Sequence, residues 1–330
     1  MGKEECSVLE HPQKSEVHCF TVLGRKMILA VDSCLFFETE AIVDEILKVC
    51  DGRNKKEIVV ELQSNYAETD ILTALEELEK VGALKEKDSL TSSYGPLQNA
   101  PIKSLALNVC HDCNLRCRYC YGNGGTYGGR KAYMKKEIAE AAVDFLLTNS
   151  EAVKKCSIIF FGGEPLLNFE LIKRMVEYSE QQAVTAGKRI HFSLTTNGTL
   201  FTRQIIDYLN EKKIGVMVSI DGPKKIQDAM RPCLNGKGSY DIILPGLQRF
   251  LESRNGNVSA RVTYTPNYLN LSEIAKHLSG LGFRRVYLSP ATGLDKKNFI
   301  LTSEHIISVK NELEKIARQT IELGNGDFRE

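Results

Sequence analysis

The sequence predicts an α/β protein in two parts, a small α+β unit followed by a larger unit built around a parallel sheet. Three observations predict it. From residue 104, short apolar and β-branched stretches recur six times, and helical patterns separate them. Strands that alternate with helices form βα units, in which the strands pair in parallel. The turn-rich segment "TSSYGPLQNAP" at residues 91–101 predicts a linker between the two parts.

The small unit, residues 1–90, is predicted to be winged-helix-like. Residues 18–37 predict two strands with a turn at Gly24-Arg25. Three helical patterns follow, and a short "ALKEKD" tail predicts a returning strand. The three helical patterns are "TEAIVDEILKVCDG", "NKKEIVVELQSN" and "AETDILTALEELEKVG".

The larger unit, residues 102–330, contains the six predicted strands. Their periodicity leaves two architectures open, a six-stranded open barrel and a doubly wound sheet. In both, ligands bind where the strands end and the loops begin. The six strands are "SLALNV" (104–109), "SIIFF" (157–161), "RIHFSLTT" (189–196), "GVMVSI" (215–220), "SARVTYT" (259–265) and "RRVYLS" (284–289).

Composition and charge argue against several classes of function. The chain has 330 residues, with 43 Lys and Arg against 42 Asp and Glu, which argues against a broad basic surface for nucleic acid. No apolar run approaches the length of a membrane span, and the N-terminus has no apolar signal core. We therefore expect a cytoplasmic protein with neither nucleic acid nor membrane as partner. In that compartment, ten cysteines are metal ligands or buried thiols rather than disulfides.

Four of these cysteines cluster directly after the first strand of the larger unit: Cys110, Cys113, Cys117 and Cys120. Together they could form a tetrahedral zinc site, although structural zinc sites usually take pairs of ligands from separated segments. The subset C-x3-C-x2-C fits a [4Fe–4S] cluster better, with three thiolates on three irons and the fourth iron open. In that case Cys110 packs at the strand end.

Polar and glycine residues follow the next three strands. Gly162 and Gly163 in "FFGGEP" allow close backbone approach to a ligand, and Glu164 could accept hydrogen bonds from an ammonium group. Taken singly, each of these groups is equally typical of a turn. The polar groups at the two following strand ends are Thr196 and Asn197 in "TTNGT", and Ser219 and Asp221 in "SIDGP".

The segment "CNLRCRYC" (113–120) resembles the signature of the radical S-adenosylmethionine (SAM) superfamily, including Asn-Leu after the first cysteine and Tyr119 before the third. The resemblance implies that Cys113, Cys117 and Cys120 hold a [4Fe–4S] cluster whose open iron is chelated by SAM. It also implies that an electron from the cluster cleaves SAM, and that the resulting 5′-deoxyadenosyl radical abstracts hydrogen from a substrate.

The same resemblance carries expectations for the fold and for the SAM site. It implies that the six βα repeats form a partial (βα)6 barrel. It also implies that "GGEP" holds the amino group of SAM, as it does in the family. The residues expected to bind the cofactor on this basis are Tyr119, Gly162, Gly163, Glu164, Thr196, Asn197, Ser219 and Asp221.

Two further segments are similar to one branch of that superfamily, the peptide and protein maturases. These are "DAMRP…NGKGSYD" (228–241) and the glycine-rich "CYGNGGTYGG" (120–129). The resemblance implies that the substrate is a ribosomally made peptide and that the product is a thioether crosslink. Three alternatives stay open: maturation of a sulfatase or an amine dehydrogenase, a peptide-binding module without turnover, and a zinc-binding regulator.

The small N-terminal unit resembles the precursor-recognition domain of ribosomal-peptide maturases. Such a domain captures a leader peptide as an added strand, here with residues of about 15–88. A DNA-binding winged helix is the alternative, but the third helix has five acidic residues and one Lys, which is a poor surface for phosphates. The expected partners are a precursor peptide and a reductant such as flavodoxin or ferredoxin.

The chain departs from the branch in one respect. Maturases of this kind usually continue into a cysteine-rich C-terminal domain with auxiliary iron–sulfur clusters, whereas the last cysteine here is Cys233. We therefore expect a chain without that domain, either as a short variant or as a truncation, in which cleavage of SAM survives better than modification of the peptide.

Overall fold

The computed structural model describes residues 9–86, 100–254, 257–293 and 297–322. The chain divides into two compact units, Met1–Gln98 and Asn99–Glu330. The division falls in the segment predicted as a linker, of which residues 91–99 lie outside the described ranges.

The N-terminal unit combines two small antiparallel sheets with three helices, so the predicted α+β class is confirmed. One sheet has the order β2-β3-β4, and β1 pairs with β5 in a separate ladder. In chain order the elements are β1 (Pro12–Lys14), β2 (Val17–Val22), β3 (Arg25–Ala30), β4 (Leu35–Glu38), α1 (Ala41–Val49), α2 (Lys55–Leu62), α3 (Glu68–Lys80) and β5 (Leu84–Glu86).

The three predicted helices and the returning strand are confirmed, but the prediction of two strands in residues 18–37 is wrong. The chain turns again after β3 and forms a third strand, β4. The first turn is also displaced by one residue, because Val22 pairs with Arg25 and leaves Leu23 and Gly24 as the turn. Both turn residues have positive φ, 52° and 78°, as a two-residue hairpin turn requires.

The core of this unit forms where the apolar faces of the helices meet β3. Ile46, Ile58 and Ile71 are fully buried, one from each helix, together with Ile28 of β3. Their positions follow the helical spacing that predicted the helices. The unit therefore has its own hydrophobic core.

The C-terminal unit contains all six predicted strands and the predicted helices between them. An additional short helix, α7, was not predicted. The elements are β6 (Ser104–Cys110), α4 (Lys136–Thr148), β7 (Lys155–Gly162), α5 (Phe169–Thr185), β8 (Arg189–Thr196), α6 (Arg203–Glu211), β9 (Gly215–Ser219), α7 (Lys224–Met230), α8 (Tyr240–Ser253), β10 (Ser259–Tyr264), α9 (Leu271–Gly280), β11 (Arg285–Pro290) and α10 (Ser303–Glu322).

The strand order decides between the two predicted architectures. The six strands pair in parallel and in the order of the sequence, from β6 to β11. A doubly wound sheet would instead reverse its direction at a central strand. The sequential order therefore corresponds to the open barrel.

Each strand of the barrel has one face in the core and one face turned away from it. In β10, Ala260 and Val262 are fully buried in the core that contains the helices, whereas Arg261 and Thr263 are only half-buried. The second face is left free to line a cavity at the strand ends. No helix in the described ranges is long and apolar enough to cross a membrane.

Candidate active site

A cavity of about 340 Å³ lies at the carboxyl ends of the barrel strands. Three kinds of segment line it: the loop after β6, which contains the clustered cysteines; the glycine-rich loop that follows; and the ends of strands β7 to β11. The lining includes Cys113, Cys117, Tyr119, Cys120, Gly162, Gly163, Thr196, Asn197, Ser219, Arg231, Arg261 and Thr263.

The structure separates Cys110 from the other clustered cysteines. Cys113, Cys117 and Cys120 are half-buried and line the cavity. Cys110 is fully buried, and its thiol donates a hydrogen bond to the carbonyl of Asp112 at 3.3 Å. Only three of the four thiols therefore face the cavity.

The backbone of the cysteine loop is held by a distant segment, residues 230–234. The Arg116 N–H donates to the Pro232 carbonyl at 2.7 Å, and the Arg118 N–H donates to the Met230 carbonyl at 2.9 Å. Leu115 and Cys233 form an antiparallel bridge between them. The segment belongs to the stretch 228–241, to which the sequence alone assigned no structural role.

Burial favours the protonated form of two of the cavity thiols, Cys113 and Cys117. It raises the pKa of Cys113 to about 12 and that of Cys117 to about 11. Charge on Cys117 or Cys120 raises the pKa of Cys113 further, which places the three thiols near one another. Thiolates would therefore form only when a metal displaces the protons.

The donor set fits an iron–sulfur cluster better than a single zinc ion. Three soft sulfur donors suit a cluster, which takes each thiolate on a different iron. A single zinc ion needs its ligands to converge on one point. Among the described residues, no group of three or more His, Cys, Asp or Glu side chains is arranged to hold one ion.

Glycines allow the loops around the cavity to touch. A Cβ on Gly162, whose φ is +136°, would lie 2.3 Å from the Cys110 carbonyl oxygen. A Cβ on Gly163 would lie 2.2 Å from the Asp112 carbonyl oxygen, and one on Gly125 would lie 2.8 Å from the Gly163 Cα. Side chains at these positions would displace the cysteine loop, so the glycines are required by packing.

The Glu164 side chain is hydrogen-bonded to neighbouring protein groups and does not line the cavity. Its carboxylate is buried and accepts hydrogen bonds from the Thr196 hydroxyl at 2.7 Å, the Asn197 N–H at 2.7 Å and the Leu166 N–H at 3.1 Å. Burial raises its pKa to about 7 in spite of these donors. The carboxylate joins the ends of β7 and β8, and its predicted contact with SAM remains a prediction.

Asn197 connects the end of β8 to the cysteine loop. Its side-chain amide donates to the Asn114 side-chain oxygen at 2.8 Å and lies 3.8 Å from the sulfur of Cys113. Thr199 completes the network by donating to Asn197 at 2.6 Å and accepting from Asn114 at 2.8 Å. The predicted residue Asn197 is thus brought next to Cys113, and Thr196 lines the same cavity.

A buried charged group lies behind the cysteine loop. Asp221 accepts hydrogen bonds from the Tyr119 hydroxyl and from the Thr263 N–H, the latter at 3.0 Å, and it pairs with Arg231 at 3.0 Å. Asp221 is 1% exposed and does not line the cavity. The arginine was missed from the sequence, although the quoted stretch "DAMRP" contains it.

Two lining residues at neighbouring strand ends complete the cavity. Ser219 ends β9 and lines the cavity, and its predicted contact with the cofactor stays a prediction. Arg261 of β10 also lines it and was not predicted. The alternation of β10 was the available signal, because Arg261 lies on the opposite face from Ala260 and Val262.

The comparison with known proteins agrees with this geometry. The family model of the radical SAM superfamily matches residues 107–266, which include the cysteine loop. An uncharacterized protein of Methanocaldococcus jannaschii is 33% identical over 228 residues, which are 68% of this chain and 74% of that protein. The chain belongs to the radical SAM superfamily.

Several radical SAM relatives are maturases of defined type. The radical SAM cyclopropyl synthase TigE of Paramaledivibacter caminithermalis is 30% identical over 47% of this chain and 34% of its own length. A cysteine-type anaerobic sulfatase-maturating enzyme of Clostridium perfringens is 36% identical over 43% of this chain and 39% of its own length. The present chain therefore spans well under half of these named relatives.

Solved radical SAM structures confirm the predicted partial barrel. The enzyme anSMEcpe, with bound AdoMet and a Cp18Cys peptide, has a TM-score of 0.59 at 24% identity over 68% of this chain and 62% of its own. Streptococcus suis SuiB, bound to its precursor peptide SuiA, has a TM-score of 0.51 at 13% identity over 95% of this chain and 71% of its own.

Membership of the radical SAM superfamily also confirms the predicted cofactors, a [4Fe–4S] cluster and SAM. The cavity offers three thiols, a glycine-lined wall and polar strand ends, a set of groups that suits this pair of cofactors.

Proposed function

We propose that this chain is a radical SAM enzyme that modifies a ribosomally made peptide by forming a thioether crosslink. One observation carries the proposal. The three thiols of the CxxxCxxC motif, the glycines of "GGEP" and the polar ends of β8 and β9 all line the same cavity. The residues come from separate parts of the sequence, and together they match the needs of a cluster and SAM.

In this proposal each group of cavity residues has one task. Cys113, Cys117 and Cys120 hold the cluster, and their burial limits the access of water. Gly162 and Gly163 let the amino-acid part of SAM approach the backbone. When bound, the cluster and SAM supply a carbon-centred radical that takes a hydrogen atom from the peptide. The remaining proposed SAM contacts in the cavity lining are Tyr119, Thr196, Asn197 and Ser219; Glu164 and Asp221, also proposed, are buried outside the lining.

The N-terminal unit supplies the proposed leader-peptide site. Strand β4 lies at the edge of its sheet, and within the described residues its outer side has no strand partner. A groove of about 770 Å³ runs beside it, between the end of β4, the start of α1 and helix α3. An extended peptide can add to such an edge through main-chain hydrogen bonds, with its side chains in the groove.

The groove has an apolar floor and an acidic rim. Ile42, Val43 and Val81 are half-buried at its floor. Its rim carries exposed Glu40, Asp70 and Glu77, for which the structure shows no ion pair among the described residues, and Glu38, which pairs with Arg25. Lys80 is the basic residue in the lining. We therefore propose that the leader segment bound here is basic with apolar anchors.

Two observations support a peptide in this groove rather than a nucleic acid. The acidic rim would repel phosphates, which nucleic-acid binding must neutralise. SuiB, which shares the fold, is described bound to its precursor peptide SuiA. Maturation of a protein partner is the second candidate, and the 36% identity to a sulfatase-maturating enzyme favours it.

The proposal is tested with the anaerobically reconstituted 330-residue chain, SAM, a reductant and any short cysteine-bearing peptide that a neighbouring gene encodes. We expect 5′-deoxyadenosine and a peptide that has lost two hydrogen atoms, because a thioether forms from one S–H and one C–H bond. A sulfatase fragment with its target residue is the second substrate. Modification of that fragment alone would favour the second candidate, and absence of 5′-deoxyadenosine from cluster-loaded protein would refute both.

A further inference from the structure

A buried guanidinium lies directly beside one of the cavity thiols. Arg231 is 6% exposed, and its Nη1 lies 3.8 Å from the sulfur of Cys117. Its guanidinium carbon lies over the ring of Tyr119, 5.3 Å from the centroid. Cys117 is thus the cavity thiol that faces a fixed positive charge.

The carboxylate that pairs with Arg231 serves other donors as well. Asp221 accepts from the Tyr119 hydroxyl and from the Thr263 N–H in addition to the ion pair at 3.0 Å. The Nε atom of Arg231 is buried and makes no aligned hydrogen bond within the described part of the chain. The Asp221 carboxylate is therefore shared among three donors and neutralises Arg231 only in part. The remaining positive charge of the guanidinium acts on Cys117.

The position of Arg231 is fixed from behind by a buried hydrogen-bond chain. The Asp221 N–H donates to the Gln227 side-chain oxygen at 2.9 Å, and the Gln227 amide donates to the Ser239 hydroxyl at 2.9 Å. Ser239 in turn donates to the Arg231 carbonyl at 2.7 Å. The same chain holds both members of the ion pair, which makes their placement a built feature of the site.

We infer that Arg231 is a positioning residue that raises the reduction potential of the cluster through Cys117. The inference rests on the proposed function, in which Cys117 is a cluster ligand. Reduction adds one electron, taken from a low-potential one-electron donor, and so adds negative charge to the cluster. A fixed cation and a hydrogen bond to a ligand sulfur both favour the reduced form.

A scaffolding role is the competing explanation, because Arg231 lies in the segment that pairs with the cysteine loop. Charge and packing can be separated by substitution. Arg231→Lys keeps the charge, Arg231→Gln removes it, and Arg231→Gln with Asp221→Asn avoids leaving a buried carboxylate unpaired. Asp221→Asn alone leaves the cation without its partner. Arg116→Gln is the matched control, since Arg116 contacts the Cys113 and Leu115 carbonyls at 2.6 and 2.7 Å rather than a sulfur.

The experiment is a redox titration of the reconstituted 330-residue chain, monitored by the electron paramagnetic resonance signal of the reduced cluster. Iron and sulfide content verify that every variant is loaded. We expect a more negative potential in Arg231→Gln, a smaller shift in the same direction in the double variant, and a more positive potential in Asp221→Asn. Arg231→Lys should stay near the wild type, and Arg116→Gln should shift less than Arg231→Gln.

The outcomes separate this inference from the proposed function. Loaded variants with unchanged potentials would overturn the role of Arg231 and leave the proposed function standing. Equal shifts in Arg231→Lys and Arg231→Gln would assign the effect to packing and would also overturn it. A wild-type chain that holds no cluster would refute the proposed function itself.

Discussion

The buried carboxylate of Glu164 accepts a hydrogen bond from the Thr196 hydroxyl at 2.7 Å. This contact joins the ends of β7 and β8 where both strands meet the cavity. Glu164 thus has a demonstrated role within the protein and a proposed one toward SAM. The two roles predict different responses to substitution and to pH.

The proposed role predicts that Glu164→Ala weakens SAM binding by roughly one to two decades, because a charge-assisted hydrogen bond contributes about 1.5–3 kcal/mol. The iron content should stay at the wild-type value. Equilibrium dialysis with SAM is the measurement, and Glu170→Ala is the control, since Glu170 is exposed on α5 and pairs with Lys173. Unchanged affinity would leave Glu164 with its structural role alone.

The pKa of Glu164 predicts a pH dependence of stability. Burial raises it from 4.5 to about 7 in the folded chain, so the folded state binds more protons than the unfolded state between these values. The stability that Glu164 contributes is therefore lost as pH rises from about 4.5 to about 7, on the order of 3 kcal/mol, and is constant above.

Thermal unfolding of the cluster-free wild type and of Glu164→Gln across that pH range checks this prediction. Glutamine does not titrate, so the free energy of unfolding of the variant should increase relative to that of the wild type as pH rises. A difference between the two proteins that is the same at every pH would show that the carboxyl group does not titrate there.

The positions of the four thiols in the cysteine loop predict that three of them are needed for the cluster and that the fourth is not. Cys113→Ala, Cys117→Ala and Cys120→Ala should each abolish a cluster of about four irons and four sulfides. Cys110→Ala should retain it, because Cys110 is buried at the end of β6 and does not line the cavity. Iron and sulfide analysis after anaerobic reconstitution is the measurement. Loss of the cluster in Cys110→Ala would indicate a four-cysteine site.

The close contact at Gly163 predicts that Gly163→Ala displaces the cysteine loop and lowers cluster occupancy. The new Cβ would lie 2.2 Å from the Asp112 carbonyl oxygen, which is backbone and cannot move alone. Gly280→Ala is the control, since its Cβ would meet nothing within 4 Å and it lies in α9. The control should keep full cluster occupancy and gain about 0.4–1 kcal/mol of stability, because alanine lowers the conformational entropy of the unfolded chain. Full cluster occupancy in Gly163→Ala would contradict the prediction.

The acidic groove predicts that Glu40→Gln, Asp70→Asn and Glu77→Gln together weaken binding of the precursor peptide roughly tenfold at low salt, since exposed ion pairs contribute about 0.2–1 kcal/mol each. Fluorescence anisotropy of the labelled peptide, titrated with the 330-residue chain, measures this affinity. Glu68→Gln with Glu76→Gln is the control, because both residues lie on α3 outside the groove lining. An equal loss in the control would show a general charge effect rather than contacts in the groove.

The features that could be predicted from the sequence are those encoded in short segments or in periodic patterns. Alternating strands and helices located the barrel, and the cysteine spacing indicated its cofactor, because both patterns are complete within short segments. The sequence did not predict that Arg231 meets Cys117, since 114 residues separate them and neither residue type indicates the contact. It likewise did not predict that Glu164 accepts hydrogen bonds from Thr196 and Asn197. These donors lie at the end of the next strand, and only the packing of the two strands brings them to the carboxylate.

The errors in the N-terminal unit have local causes. Asp32 and Ser33, between β3 and β4, are residue types that favour turns, but the prediction placed a turn only at Gly24-Arg25. The first turn was displaced because Leu23 adopts a positive φ of 52°, a conformation that is uncommon outside glycine.

The pairing of the cysteine loop with residues 230–234 has a consequence for biosynthesis. A ribosome delivers the cysteines long before it delivers their backbone partners. Until then the Arg116 and Arg118 N–H groups lack the carbonyls to which they donate in the folded chain. Iron and sulfide delivered to the nascent chain at that stage would meet flexible thiols. We therefore expect the metal to be inserted only after residues 230–234 have been synthesised.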